Sequence, residues 1–592
     1  MLSQPRVVAT GRPARTNDPR SAELAGSPSA AQANMKSWNN VVSRRHVLVG
    51  GLIAGTIPFA QSATPESGSS TAIAPTRGAL SDIDPRRHSS ATLREAGREG
   101  MFTWHDGDLS AQVSGDQLQG VYVPGRDASG REGAWMRAGR RLRPEMFGAA
   151  GGDVDDTASL QALLDHLLPG YEAVIADQHR VVRELSIQHR RGFRINGGGH
   201  IEASADMPVR WGFGLIRFIH CDEFVLSDMS FDGRRGMRTP HESPAHNVIF
   251  ESCARFTCQG VRSSNAVCDG FMLLSETPND PETHCVDFKM INCEADNCFR
   301  QGCTVAHGHS GLFDGGSYSR SNGTAPEAGV DLEADGGNPL HSVTSIRFRN
   351  VRFEANAGFG LLVAAVLAPR NIEATDCRFI NNRSGAISWG AQTGSIVRSS
   401  ITGFDTHAVR GAIDVPVGAG VEALTIEAPV FREVTADSAG NPLIYVHGAS
   451  GGHVTVDRLD VDSCAAVVAF WAADCSLRDS PRIVSDQARF HGAILVYGAR
   501  CRVLRNRISD FYGAAIYVEA PEFIAAGNQL IDPRFGDERG CIFVRGPGAQ
   551  IIDNVVSASG RSVARYAIVA SSATVLARNR TTGFLQPEEN IP

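Results

Sequence analysis

The sequence predicts an all-β solenoid: a right-handed parallel β-helix of about 12–14 coils, preceded by an N-terminal capping helix and a small β-rich head. Three observations carry that prediction. First, a short phrase recurs, made of a small residue, then apolar–x–apolar, then a turn. Its first inward apolar residues are Val330, Phe359, Ile387, Ile413, Ile444, Val468, Ile494, Ile516, Ile542 and Ile568, with steps averaging about 26 residues, and weaker copies lie near Ile216, Val248, Phe271 and Cys303. Second, each period holds another strand-like phrase, as in residues 345–353 and 501–508, and no stretch keeps helical periodicity over three turns. Third, the 62 glycines suit many tight turns. Two or three short strands per period cannot bury both their faces alone, whereas stacked turns bury one face of each strand in a shared interior. Leucine-rich repeats need a Leu framework that is missing, and propeller blades run to about 40 residues or more.

The elements follow in chain order. Residues 1–34 are rich in Ala, Pro, Arg and Ser and read as disordered or as a mis-assigned start, with Met35 the alternative first residue. Residues 35–63 read as an export signal. Lys36 and Arg44–Arg45 supply charge, Val47–Ala60 the apolar stretch, and Ala60, Ser62 and Ala63 cleavage positions. About 14 apolar residues interrupted by Pro58 are too few for a membrane span. Ser43–Leu48 resembles a twin-arginine signal, with Val47 where that family prefers Phe. The resemblance implies a bacterial protein exported already folded, hence periplasmic or secreted. Residues 64–84 read as a linker, 85–146 as the head and 147–585 as the β-helix. Asp155 and Asp156 read as caps of a short helix whose Leu160, Leu163, Leu164 and Leu167 would lie across the first coil.

Residues 147–165, from Phe-Gly-Ala-Ala-Gly-Gly-Asp-Val-Asp-Asp to Ala-Leu-Leu-Asp, resemble the opening motif of the pectate-lyase-like β-helix superfamily. This group includes pectate and rhamnogalacturonan enzymes and phage tailspike depolymerases. The stretches 98–104, 130–135 and 143–149 look like the head often joined to such coils. The resemblance covers roughly residues 85–580. It implies the fold and a polysaccharide or oligosaccharide partner, and it leaves open the reaction and the homotrimers that tailspikes form. The polygalacturonase series of acids is not reproduced; Asn265–Gly270 and Ala306–His309 are distant echoes of it.

Alternation places candidate chemistry on one outer face. Asp331, Glu333 and Asp335 fall at i, i+2 and i+4, spaced about 6.8 Å along the backbone. Paired carboxylates about 6.5–9.5 Å apart suit an inverting glycosidase, and crowding raises one pKa to make a proton donor. His307 and His309, one coil earlier, are placed to tune that pair or hold sugar hydroxyls. The same strand also reads as a solvated acidic edge or a structural calcium site; no other cofactor is implied. A second outward series, Asp414, Tyr445, His447, Trp471, Tyr497, Tyr517, Glu519, Phe543 and Arg545, offers flat faces to sugars and a guanidinium to acidic groups. Stacking of these aromatics on one another for stability is the equal alternative.

A net charge of -7 argues against nucleic acid as partner. Lys36 and Lys289 are the only lysines, and the strand of Lys289 points away from the groove, so a lyase base would fall to Arg545, His447 or Tyr445. Thirteen cysteines, all after residue 220, read mainly as buried free thiols. The spacings of Cys253/Cys258 and Cys293/Cys298/Cys303 leave a zinc site without a fourth ligand, so no metal ligands are assigned. The leading expectation is an exported glycoside hydrolase acting on an acidic polysaccharide. Beside it stand a polysaccharide lyase or uronate epimerase on the same scaffold, and a non-catalytic glycan-binding envelope protein.

Overall fold

The computed structural model describes residues 71–591 except 210–212, 239–244, 334–342, 365–368, 404–410, 418–420, 435–440, 449–451, 465, 488–491, 535–539 and 560–564. The export segment and Asp335 lie outside the described residues. Among these residues, no helix is long and apolar enough to cross a membrane.

From residue 141 onward the chain winds as a right-handed parallel β-helix. Each coil gives one strand to each of three parallel sheets, the first with 17 strands and the second and third with 16. The coil number exceeds the expected 12–14 because the opening strands, such as Gln178–Val181 and Leu185–Gln188, lack the recurring small-residue phrase. The predicted inward column is the register of the third sheet: Val330, Ile387, Ile413, Ile444, Val468, Ile494, Ile516, Ile542 and Ile568 lie on one line. Leu361, not Phe359, is the residue between Val330 and Ile387. The reading slipped by two residues, which preserves the face because strand alternation has period two.

The small residue of the phrase has a steric cause. A side chain at Gly270 would meet the carbonyl of Gly302 at 2.6 Å, and one at Gly302 would meet that of Gly329 at 2.5 Å. Inside, Phe193, Phe224, Phe256 and Phe288 stack coil upon coil at 5.1, 5.1 and 5.8 Å between centroids. All thirteen cysteines are free and buried. At the turns between the first and second sheets, Asn506, Asn528, Asn554 and Asn579 form a ladder in which each side-chain carbonyl accepts from the asparagine one coil before.

The near-absence of lysine acquires a physical use on the outer turns. Arg398 grips Asp376 with two bonds of 2.8 and 2.7 Å, and Arg578 grips Asp553 at 2.6 and 2.7 Å. Such a two-pronged grip needs the planar guanidinium fork.

The head is a five-stranded sheet around Trp135, Phe102 and Leu93. Its first strand, Ala72–Ala74, and helix α1, Arg77–Ser81, fall in the stretch read as linker. Buried Leu80 draws them into the head core, a single apolar anchor that composition overlooks. After α2 (Ser110–Gly115) in the head comes α3, Thr157–Asp165, which buries Leu160, Leu163 and Leu164 against the first coil. Asp155 accepts from the Thr157 N–H at 3.0 Å, as a cap does. Asp156 does not cap the helix: its carboxylate accepts from the Ala150 and Gly151 N–H groups at 2.8 Å and binds buried His179 at 2.7 Å.

Candidate functional site

The outer face of the third sheet is one continuous file of side chains. Its register runs Arg217, Ile249, Met272, Thr304, Asp331, Leu362, Ser388, Asp414, Tyr445, Ala469, Leu495, Tyr517 and Phe543. Asp331, Asp414, Tyr445, Tyr517 and Phe543 therefore share the file that alternation assigns them. A parallel file two residues further on holds Glu251, Glu333, His447, Trp471, Tyr497, Glu519 and Arg545, each continuing the strand beside its neighbour.

Facing away from the lumen is not the same as facing water. Asp331 is 1% exposed, because long side chains from the preceding coil fold over it. Gln301 donates to Asp331 Oδ2, while Oδ1 is buried and has no hydrogen-bond partner. Arg300 reaches Glu333 Oε2 at 2.8 Å and Asp269 Oδ2 at 3.4 Å. The Thr304 hydroxyl donates to Asp269 Oδ2 at 2.9 Å. Gln301 and Arg300 escaped the sequence reading, and Asp269 entered it only within the distant echo at Asn265–Gly270, although a signal existed. Asp269 and Gln301 each precede a glycine of the tightly stacked column, so the same close backbone approach holds them one coil apart.

Electrostatics separate the two buried acids. Burial pushes the Asp331 carboxyl well above the usual carboxylate range, and Glu333 pushes it further. Burial also opposes ionisation of Asp269, but the Arg300 guanidinium, aided by His246, outweighs it and holds that carboxyl low. Arg300 is in turn held above its ordinary value by Asp269 and Glu333 despite its own burial. One carboxyl is thus biased toward its protonated form beside another biased toward ionisation, the arrangement acid–base chemistry uses.

His307 and His309 belong to an imidazole cluster in the turn that leaves the third sheet. His309 Nε2 meets His284 Nδ1 at 2.8 Å, its Nδ1 meets the Thr344 hydroxyl at 2.7 Å, and Ser275 N–H donates to His307 Nδ1 at 3.2 Å. Burial, then His284, lowers the His309 pKa. The histidines flank the acid file and are not part of it, because the chain has already turned from the third sheet toward the first.

Three coils beyond Asp331, buried Asp414 Oδ1 lies 2.9 Å from His447 Nε2, and the Tyr445 ring stacks on that imidazole at 4.5 Å. Trp471 is half exposed and packs against Tyr497 at 4.4 Å. Tyr517 and Phe543 differ from expectation: they stack at 5.1 Å and sit almost wholly buried in an outer apolar cluster with Leu495 and Val569. Neighbouring apolar rungs cover them, so they stabilise the face instead of presenting rings to a ligand. Glu519 and Arg545 remain exposed beside them, 3.8 Å apart. Lys289 lies exposed on the first sheet, as expected.

The same face carries an acid group at its opening end. Glu184 accepts from Gly214 N–H at 2.5 Å, near the Arg217–Glu251 ion pair. Burial raises its pKa to about 7 against the pull of Arg217.

No family model matches the chain, and no curated protein matches it. Among solved structures it is similar to tailspike gp49 of Acinetobacter baumannii bacteriophage Fri1, a capsular polysaccharide depolymerase (13% identity, TM-score 0.41, 78% of this chain and 72% of that one). It is similar as well to the A-module of the Azotobacter vinelandii mannuronan C-5 epimerase AlgE6 (12%, 0.31, 76% and 95%). A third is the Streptococcus pneumoniae surface protein and adhesin PfbA (9%, 0.35, 76% and 100%).

Proposed function

We propose that the protein is an exported, periplasmic or secreted carbohydrate-active enzyme that hydrolyses an acidic polysaccharide, with Asp331 as proton donor and Glu333 as its carboxylate partner. The observation that carries this reading is the state of Asp331. Burial and the neighbouring Glu333 raise its pKa and favour the protonated form, and among the described residues its Oδ1 has no hydrogen-bond partner. A proton held there is free to pass to a glycosidic oxygen. Glu333, next on the same face and anchored by Arg300, stands about 6.8 Å away along the backbone, in the range that leaves room for a water on the opposite side of the sugar. Burial raises the Asp331 pKa and also restricts approach. In this reading the sugar arrives over Glu333, whose side chain keeps 21% of its surface, and the cover over Asp331 shifts as it binds. Trp471, Tyr497 and Arg545 would hold the outer part of the chain, with the acidic groups of the glycan at Arg545.

A specific observation favours a second reading, a polysaccharide lyase or uronate epimerase centred on Asp414, His447 and Tyr445. A buried carboxylate orienting an imidazole beside a phenol is the equipment for removing a proton next to a sugar carboxylate and returning one. Incubation of the purified protein with acidic exopolysaccharides separates the readings. New reducing ends without ultraviolet absorbance of an unsaturated uronate support hydrolysis. A rise in that absorbance, or inversion at C5 without cleavage, supports the second reading. Binding with no product leaves a glycan-binding protein. Full activity in both Asp331→Asn and Glu333→Gln would remove the acid site from the mechanism.

A further inference from the structure

At the start of the third sheet, beside the acid file, the two coils that carry His246 and Cys268–Asp269 are clamped together. Cys268 N–H donates to the Ala245 carbonyl, and Asn247 N–H donates to that of Asp269, both at 3.1 Å. This pairing gathers an imidazole, a thiol and a carboxylate. One donor atom of each lies within 4.8 Å of the others, and the three residues are at most 4% exposed. Among the described residues, Nε2 of buried His246 has no partner and Nδ1 makes no well-aligned hydrogen bond, only an approach to Asp269 Oδ2 at 3.3 Å. Leaving a buried polar atom unsatisfied costs about 1–3 kcal/mol, so an imidazole with such an atom calls for something to bind. Charge points the same way: Asp269 shares the Arg300 guanidinium with Glu333, at 3.4 and 2.8 Å.

We propose that His246, Cys268 and Asp269 form a binding site for a single transition-metal ion of the zinc type. Nitrogen and sulfur donors select such an ion over calcium, which takes oxygen ligands. Metal–ligand bonds of about 2.0–2.3 Å in a tetrahedron place donor atoms about 3.3–3.8 Å apart. Cys268 Sγ is already 3.4 Å from Asp269 Oδ1, and His246 Nδ1 is 3.3 Å from the same carboxylate. Side-chain rotation of about an ångström completes the set, with the thiol proton passing to solvent. Thr304, bound to Asp269 Oδ2, would orient the carboxylate from behind. Three protein ligands leave a fourth position, as in zinc sites that accept water. The ion would tie the two coils together and neutralise the thiolate and carboxylate that it binds.

The test uses the whole chain, stripped with a chelator and then given zinc alone, with bound metal counted after equilibrium dialysis. Cobalt substituted for zinc reports the sulfur ligand through its thiolate charge-transfer band. The expected results are one ion per chain, weakening by about a hundredfold or more in His246→Gln, and loss of the cobalt band in Cys268→Ser but not in Cys253→Ser. The melting temperature of the wild type should rise with zinc concentration, a readout that holds even if a variant fails to fold. The proposal is overturned if the wild type retains no stoichiometric zinc and its melting is indifferent to the metal. It is equally overturned if Cys268→Ser keeps the cobalt band.

Discussion

Glu184 makes the structure answerable to pH. Its carboxyl is moved from an ordinary 4.5 to about 7, chiefly by burial. Below pH 4.5 the folded and unfolded chains both carry the proton, and the stability associated with this group is fully present. Between pH 4.5 and 7 the unfolded chain has released its proton while the folded chain keeps it, so stability falls as pH rises. Above pH 7 the loss is complete, and at about 1.4 kcal/mol per pH unit over about 2.5 units it reaches at most about 3.5 kcal/mol. Glu184→Gln removes the ionisation but keeps an oxygen to accept from Gly214 N–H. Denaturant unfolding followed at pH 4.5 and pH 8 should find the two proteins alike at the acid end. At pH 8 the variant should be the more stable, by up to about 3.5 kcal/mol. Parallel pH profiles for wild type and variant would refute the assignment, because they would mean that Glu184 ionises in the folded chain as easily as in the unfolded one.

The remaining predictions concern other terms of the same structure. If Asp331 donates the proton, the Asp331→Asn variant should lose about 10²–10⁴-fold in turnover while folding normally, since the amide keeps the shape and an oxygen to accept from Gln301; wild-type activity should persist above the pH at which an ordinary carboxylate ionises and fail as pH rises further. Arg300→Met strands buried Asp269 and should cost about 3–5 kcal/mol in chemical unfolding. Asn528→Ala deprives the Asn506 N–H and the Val503 carbonyl of their partners, at about 1–3 kcal/mol each, visible as a lowered melting temperature. Trp471→Ala should leave stability within about 0.5 kcal/mol, since half the ring is exposed, yet weaken retention of long glycan chains in affinity electrophoresis.

The fold was legible because a solenoid repeats its constraint. Most coils put an apolar side chain into the lumen and a small residue where a Cβ would come within about 2.6 Å of the next coil's carbonyl, as at Gly270 and Gly302, so the phrase recurs wherever that geometry does. Its failures are local and physical. Phe359 is a large apolar residue on the correct face, and nothing in its chemistry distinguishes it from Leu361, which holds the column. The opening coils carry the same architecture without the phrase, covered by α3 and the head. Leu80 joins the head core from a stretch whose composition is that of a linker.

The site was legible only in its direction. Alternation correctly sends Asp331, Asp414, Tyr445 and His447 outward, because parity along a strand is a property of the strand alone. Burial is a property of neighbours one coil away, some 30 residues distant in sequence, and parity is silent about them. Gln301 and Arg300 close over Asp331, while Leu495 and Val569 close over Tyr517 and Phe543. The two coverings have opposite consequences. An apolar cover turns aromatic rungs into core and takes them from any ligand. A polar cover shuts out water, and that burial, with Glu333 beside it, raises the Asp331 carboxyl against the pull of Arg300 and Gln301, while the same Arg300 lowers Asp269; the acid that is hidden is the one biased toward holding its proton.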